Sequence, residues 1–110
     1  MRAIVIDPFD RELKAVNIAP KFSDYYRVMS GTSGVVTMIQ RAPVVIPGID
    51  LWVDEEGLFK NSSPSFFIIG CRTPFFGKGL LVEENEKDLI GKIEEYGKIV
   101  MWSPYVTRST

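Results

Sequence analysis

Leu51-Trp52-Val53-Asp54-Glu55-Glu56-Gly57-Leu58-Phe59-Lys60, then Phe66-Phe67-Ile68-Ile69-Gly70-Cys71, then Gly77-Lys78-Gly79-Leu80-Leu81-Val82, is the part of the chain that decides the fold. Three apolar runs are parted by an acidic turn and by a polar, aromatic loop. Ile49, Leu51 and Val53 alternate with Asp50, Trp52 and Asp54, the period-two pattern of a half-buried strand. Asp54-Glu55-Glu56-Gly57 has hairpin-turn chemistry, with the glycine free to take positive φ, and Leu58-Phe59 starts a return strand. Phe66 to Gly70 is apolar throughout and reads as a central strand. Cys71 to Gly79 is a connection, and Leu80 to Val82 a short strand.

Upstream, Ala3 to Ile6 is wholly apolar and rich in β-branched residues, as a strand buried on both faces requires. Asp7-Pro8-Phe9-Asp10 is turn chemistry, and Leu13 to Ile18 reads as its hairpin partner. The alternation slips between Ala15 and Val16, which predicts a bulge. Pro20 suits the first turn of a helix, and Phe22, Tyr25, Tyr26 and Met29 share one helical face. That face is expected to pack on the sheet rather than to stack on a ligand. Ser30-Gly31-Thr32-Ser33-Gly34 ends the helix. It reads as a cap and linker rather than a phosphate cradle, because a cradle precedes a helix. Val35 to Ile39 is a third strand. Pro43 to Gly48, bracketed by prolines, is an edge strand or an extended loop.

Downstream, Asn85 caps a second helix with Leu89, Ile93 and Tyr96 on its buried face and Gly97 at its end. Lys98 to Trp102 is a last strand, and residues 104–110 form a loose tail. The order is ββα-βββββ-αβ. The expectation is one α+β domain over residues 1–110, with a largely antiparallel mixed sheet and two helices.

The chain has 110 residues, 45% hydrophobic and 25% charged, enough for a core without disulfides or metals. Thirteen basic and fourteen acidic residues give a net charge of -1. The broad positive field of a duplex nucleic-acid binder is missing. The N-terminus lacks the pattern of a signal peptide and no apolar run reaches membrane-helix length. The expected location is the cytoplasm. Apolar sheet content leaves room for a homodimer.

Missing residue types narrow the chemistry. There is no histidine, which removes Ser-His-Asp and Cys-His catalysis and histidine-bearing zinc sites. The one cysteine, Cys71, follows an apolar strand and is expected to be buried and inert. Gly70 and Gly77-Lys78 miss the phosphate-loop spacing, and Gly79 stands where Ser or Thr would hold Mg²⁺.

Two candidate sites remain. Asp54 and Glu55, in the acidic turn, are weak metal candidates and are expected to form a solvated hairpin tip. The ligand-binding candidate is the loop with Arg72, Phe75, Phe76, Gly77, Lys78 and Gly79. Its two cations can neutralise an anion, its aromatics can stack or enter a partner's pocket, and its glycines let backbone N–H groups come close. The competing arrangement, with both phenylalanines packed beneath the loop and both cations solvated, stays open. No cofactor is implied.

Ile6-Asp7-Pro8, Val53-Asp54-Glu55-Glu56-Gly57-Leu58, and Phe66-Phe67-Ile68-Ile69-Gly70 leading to Gly77-Lys78-Gly79-Leu80 together resemble a loosely defined family of small phage and prophage proteins of unknown function. This chain departs from that pattern by one extra acid in the hairpin and by the Phe75-Phe76 pair. The resemblance implies an accessory protein of a mobile element acting by binding, with no established active site. The leading expectation is a small phage-type factor that binds a host protein or captures an anionic nucleotide-like ligand, antagonising host machinery or defence. The alternatives are a metal-dependent enzyme on a nucleotide or phosphoester and a structural, oligomeric component.

Overall fold

A computed structural model describes residues 2–30, 36, 38–43, 48–56, 64–83 and 93–102. β1 (Arg2–Asp7) and β2 (Glu12–Asn17) form the expected hairpin, in unbroken antiparallel register from Arg2↔Asn17 to Asp7↔Glu12. The bulge expected at Ala15–Val16 is therefore absent. The slip in the pattern has another cause: Leu13 packs toward one face of the sheet and Val16 toward the other.

The hairpin turn is held by Asp7, which is only 3% exposed. Its Oδ1 accepts hydrogen bonds from the backbone N–H groups of Phe9 at 2.9 Å and Asp10 at 3.2 Å. Its Oδ2 pairs with Lys14 Nζ at 3.0 Å, and the same ammonium group reaches Asp10. Burial pushes the Asp7 carboxyl pKa up, but the bonds from Lys14, Asp10 and Phe9 outweigh it and hold the pKa below its ordinary value of 3.8. Hydrogen bonds to Asp10 and Asp7 in turn raise the pKa of Lys14.

A lowered carboxylate pKa stabilises the fold fully above the unfolded value, and that stability is lost as pH falls through the folded value. Asp7→Asn should thus lower stability by about 1–2 kcal/mol at neutral pH. It should also flatten the fall in melting temperature below about pH 4, the two proteins converging in strong acid. Melting curves from neutral pH into acid check this.

α1 (Phe22–Met29) starts within two residues of Pro20. Asp24 in its first turn accepts the Ala19 N–H at 2.7 Å, which ties the incoming chain to the helix. Tyr25 and Met29 are buried and Tyr26 is half-buried, while Phe22 stays exposed. The helical face packs on the sheet as its spacing predicts, with the largely exposed Phe22 at its margin against Trp52.

Two sheets follow from the remaining strands. β3 (Ile39–Arg41), β4 (Ile49–Asp54) and β7 (Gly79–Glu83) join the hairpin in the order β2-β1-β7-β4-β3. β5 (Ser65–Ile68), β6 (Phe75–Phe76) and β8 (Val100–Trp102) form a second sheet in the order β6-β5-β8. Every described pairing is antiparallel. α2 (Ile93–Gly97) precedes β8. The fold is α+β, as the sequence predicts.

Several expectations shift in detail. The third strand lies at Ile39–Arg41 rather than from Val35 to Ile39. The run from Phe66 is central in the smaller sheet, and Phe75–Phe76 adds an edge strand inside what reads as a loop. Leu58-Phe59, Val44 to Pro47, Asn85, Leu89 and residues 104–110 lie outside the described residues.

The larger sheet is the middle layer. On one side, Ala3, Val5, Leu80 and Val82 pack with Tyr25 and Met29 of α1. On the other, Ile4, Ile6, Leu51, Val53 and Leu81 pack with Phe66 and Ile68 of the smaller sheet. β1 and β7 are apolar at successive residues because both of their faces are covered. No described helix is long and apolar enough to cross a membrane.

Candidate functional site

A cleft of about 430 Å³ opens between one end of β3–β4 and the segment from Gly70 to Phe76. Gln40, Val53, Asp54 and Glu55 form one wall, with Pro43 nearby. Cys71, Arg72, Thr73, Pro74, Phe75 and Phe76 form the other. The two stretches singled out separately in the sequence, the acidic turn and the Arg72 loop, thus face one space.

Local structure fixes the acidic wall. Asp54 is buried at the end of β4, and its Oδ1 accepts the Glu56 N–H at 2.9 Å, an Asx turn. The Glu55 N–H donates to the Met38 carbonyl at 2.9 Å, continuing the β3–β4 ladder, while Glu55 itself is exposed. The expected solvated tip is half correct, since Glu55 meets water and Asp54 does not.

The opposite wall turns on glycine. Gly70 has φ 94°, a left-handed conformation that suits a residue without Cβ, and the Cys71 N–H closes the turn onto the Ile68 carbonyl at 2.9 Å. Arg72 and Thr73 are exposed, while Phe75 and Phe76 are half-buried. Phe75 leans on Phe66, with ring centroids 5.5 Å apart. Each phenylalanine is partly in the fold and partly in the cleft. Cys71, expected to be buried, is half-buried and lines the cleft.

Gly77, Lys78 and Gly79 do not line this space. Gly77, at φ 84°, donates its N–H to the Pro64 carbonyl at 3.0 Å in the turn between β6 and β7. Lys78 Nζ lies 3.4 Å from the carbonyl of Ser30, at the C-terminal end of α1. Helix carbonyls at that end carry partial negative charge and attract a cation. Arg72 and Lys78 therefore do not converge on one ligand. Gly79 begins β7, where a Cβ would come within 2.6 Å of Phe66 Cζ. Its lack of a side chain serves packing between the two sheets.

Gln40 and Pro43 enter the site without a sequence signal, since only the fold places them; Thr73 and Pro74 come with the Arg72 loop. Among the described residues, no group of three His, Cys, Asp or Glu side chains is placed to hold a metal ion.

A second aromatic group sits on the α1 side of the larger sheet. Phe22 and Trp52 meet edge to face at 5.4 Å, Tyr25 lies 6.0 Å from Trp52, and the Arg41 guanidinium stacks over Trp52 at 5.8 Å. Arg41 also pairs with Asp50 at 3.7 Å.

The fold and site define a small α+β domain with an open cleft of mixed charge. The chain matches no known protein family, no curated protein and no solved structure.

Proposed function

We propose that this chain is a binding protein whose cleft docks a segment of another protein. The motif resemblance implies an accessory protein of a mobile element that acts by binding; within that reading the partner is a host protein, and the chain antagonises host machinery. The observation that carries this reading is the charge of the cleft. One cation, Arg72, is set against one exposed carboxylate, Glu55, around two half-buried phenylalanines, while the Asp54 side chain is buried and turned to its own Asx turn.

A phosphate-rich ligand fits such a lining poorly. Two like charges about 6 Å apart repel by about 0.7 kcal/mol in water and about 3 kcal/mol at an effective dielectric near 20. Lys78, the second cation an anion site would need, is engaged at the end of α1. A protein segment carries charges of both signs beside apolar side chains, and complements the lining.

Affinity capture with the folded chain tests the proposal. Arg72 is exposed, so Arg72→Glu should leave melting unchanged and weaken capture of the host partner about tenfold. A nucleotide panel should leave the melting temperature of the wild type unchanged, because only a ligand of the folded state raises it. A nucleotide-induced rise that Arg72→Glu abolishes would replace protein docking with small-molecule capture.

A further inference from the structure

The cleft lies where the edges of the two sheets meet. β3 is the last strand of the larger sheet and β6 the last of the smaller one, and Gln40, Phe75 and Phe76 bring both edges to the cleft. Antiparallel strands alternate between residues that bond their partner strand and residues that point away. Met38 accepts from Glu55, and Ala42 donates to Leu51. By that alternation, the N–H and C=O groups of Ile39 and Arg41 are directed away from β4. Among the described residues no strand lies on that side of β3. Such an edge is a template for another extended chain.

Resting on the protein-docking reading above, we propose that the occupant is an extended peptide segment that adds to the larger sheet along β3. Side chains of an added strand alternate between the two faces of the sheet. Those on the Gln40 side enter the cleft. An aromatic or aliphatic side chain there meets Phe75 and Phe76. A lysine or arginine of the segment pairs with Glu55, and an acidic group pairs with Arg72. Each wall selects one sign of charge, and the β3 backbone selects an extended conformation.

The test is a random linear heptapeptide library panned on the wild-type chain, followed by synthetic copies of the enriched peptides in a fluorescence-anisotropy assay. Enriched peptides should carry a basic residue close to an apolar one. Glu55→Lys, at an exposed position, should weaken them about fivefold or more. Exchanging the peptide's basic residue for glutamate should restore binding to that variant. N-methylation at successive peptide positions should abolish binding at alternate residues, which a contact through side chains alone would not do. Peptides that depend on Arg72 but ignore Glu55, or that tolerate every N-methyl group, would overturn this inference and leave the docking cleft standing. A library that enriches nothing, or peptides indifferent to both Arg72→Glu and Glu55→Lys, would overturn both.

Discussion

Phe66→Ala should lower the stability of the chain by about 3–5 kcal/mol, the usual cost of emptying a buried phenylalanine site. Phe66 is fully buried between the two sheets. It contacts Phe75 of its own sheet, lies against Gly79 of the other, and shares a buried cluster with Leu51. Removing the ring opens a cavity that rigid strands on both sides cannot close. Domains of this size are stable by about 5–15 kcal/mol, so one substitution consumes a large share. Urea unfolding followed by tryptophan fluorescence gives the number. A loss below about 1 kcal/mol would mean that the smaller sheet is not packed on the larger one in solution.

Gly79→Ala carries the second large effect, from the opposite side of the same contact. The new methyl group would lie 2.6 Å from Phe66 Cζ and 3.2 Å from Leu51 Cδ1. One neighbour is a buried ring and the other is in a central strand, so neither has room to retreat. Overpacking of this kind costs about 1–3 kcal/mol. The cause can be isolated with Phe66→Leu, which shortens the side chain facing Gly79. Gly79→Ala in that background should cost about 1 kcal/mol less than alone, a coupling that only direct contact produces. Additive losses would place the strain elsewhere.

These two residues also show where sequence reading ends. Alternation or helical spacing marks β2, α1 and β4, and unbroken apolar runs mark β1 and β7, because each pattern is set by the element's own buried faces. The run from Phe66 was recognisable as a strand but not as a member of a second sheet, since nothing local records which neighbour it pairs with. Gly79 before an apolar strand reads as a place for close ligand approach, whereas its missing side chain serves packing. The deciding atom, Phe66 Cζ, comes from another layer.

The candidate site divides in the same way. Arg72, Phe75 and Phe76 were legible as a group because they are neighbours in sequence. Their meeting with Asp54 and Glu55 depends on the smaller sheet folding over the end of β4. Lys78 was misleading for a related reason: α1 draws it away, and that helix lies far upstream. Gln40 belongs to a three-residue strand too short to carry a pattern.

The place of β7 has a consequence for how the chain is made. It is the middle strand of the larger sheet, yet it is encoded after the other four. While the chain emerges from the ribosome, β1 and β4 have no shared neighbour until Gly79–Glu83 is available to lie between them. Until then the nascent chain holds a hairpin and an unjoined β3–β4 pair, each with an open apolar edge. Non-local closure of this kind is slow and leaves the unfinished chain prone to association. Premature termination just before Gly79 would therefore yield two halves of a sheet with no centre, not a smaller folded domain.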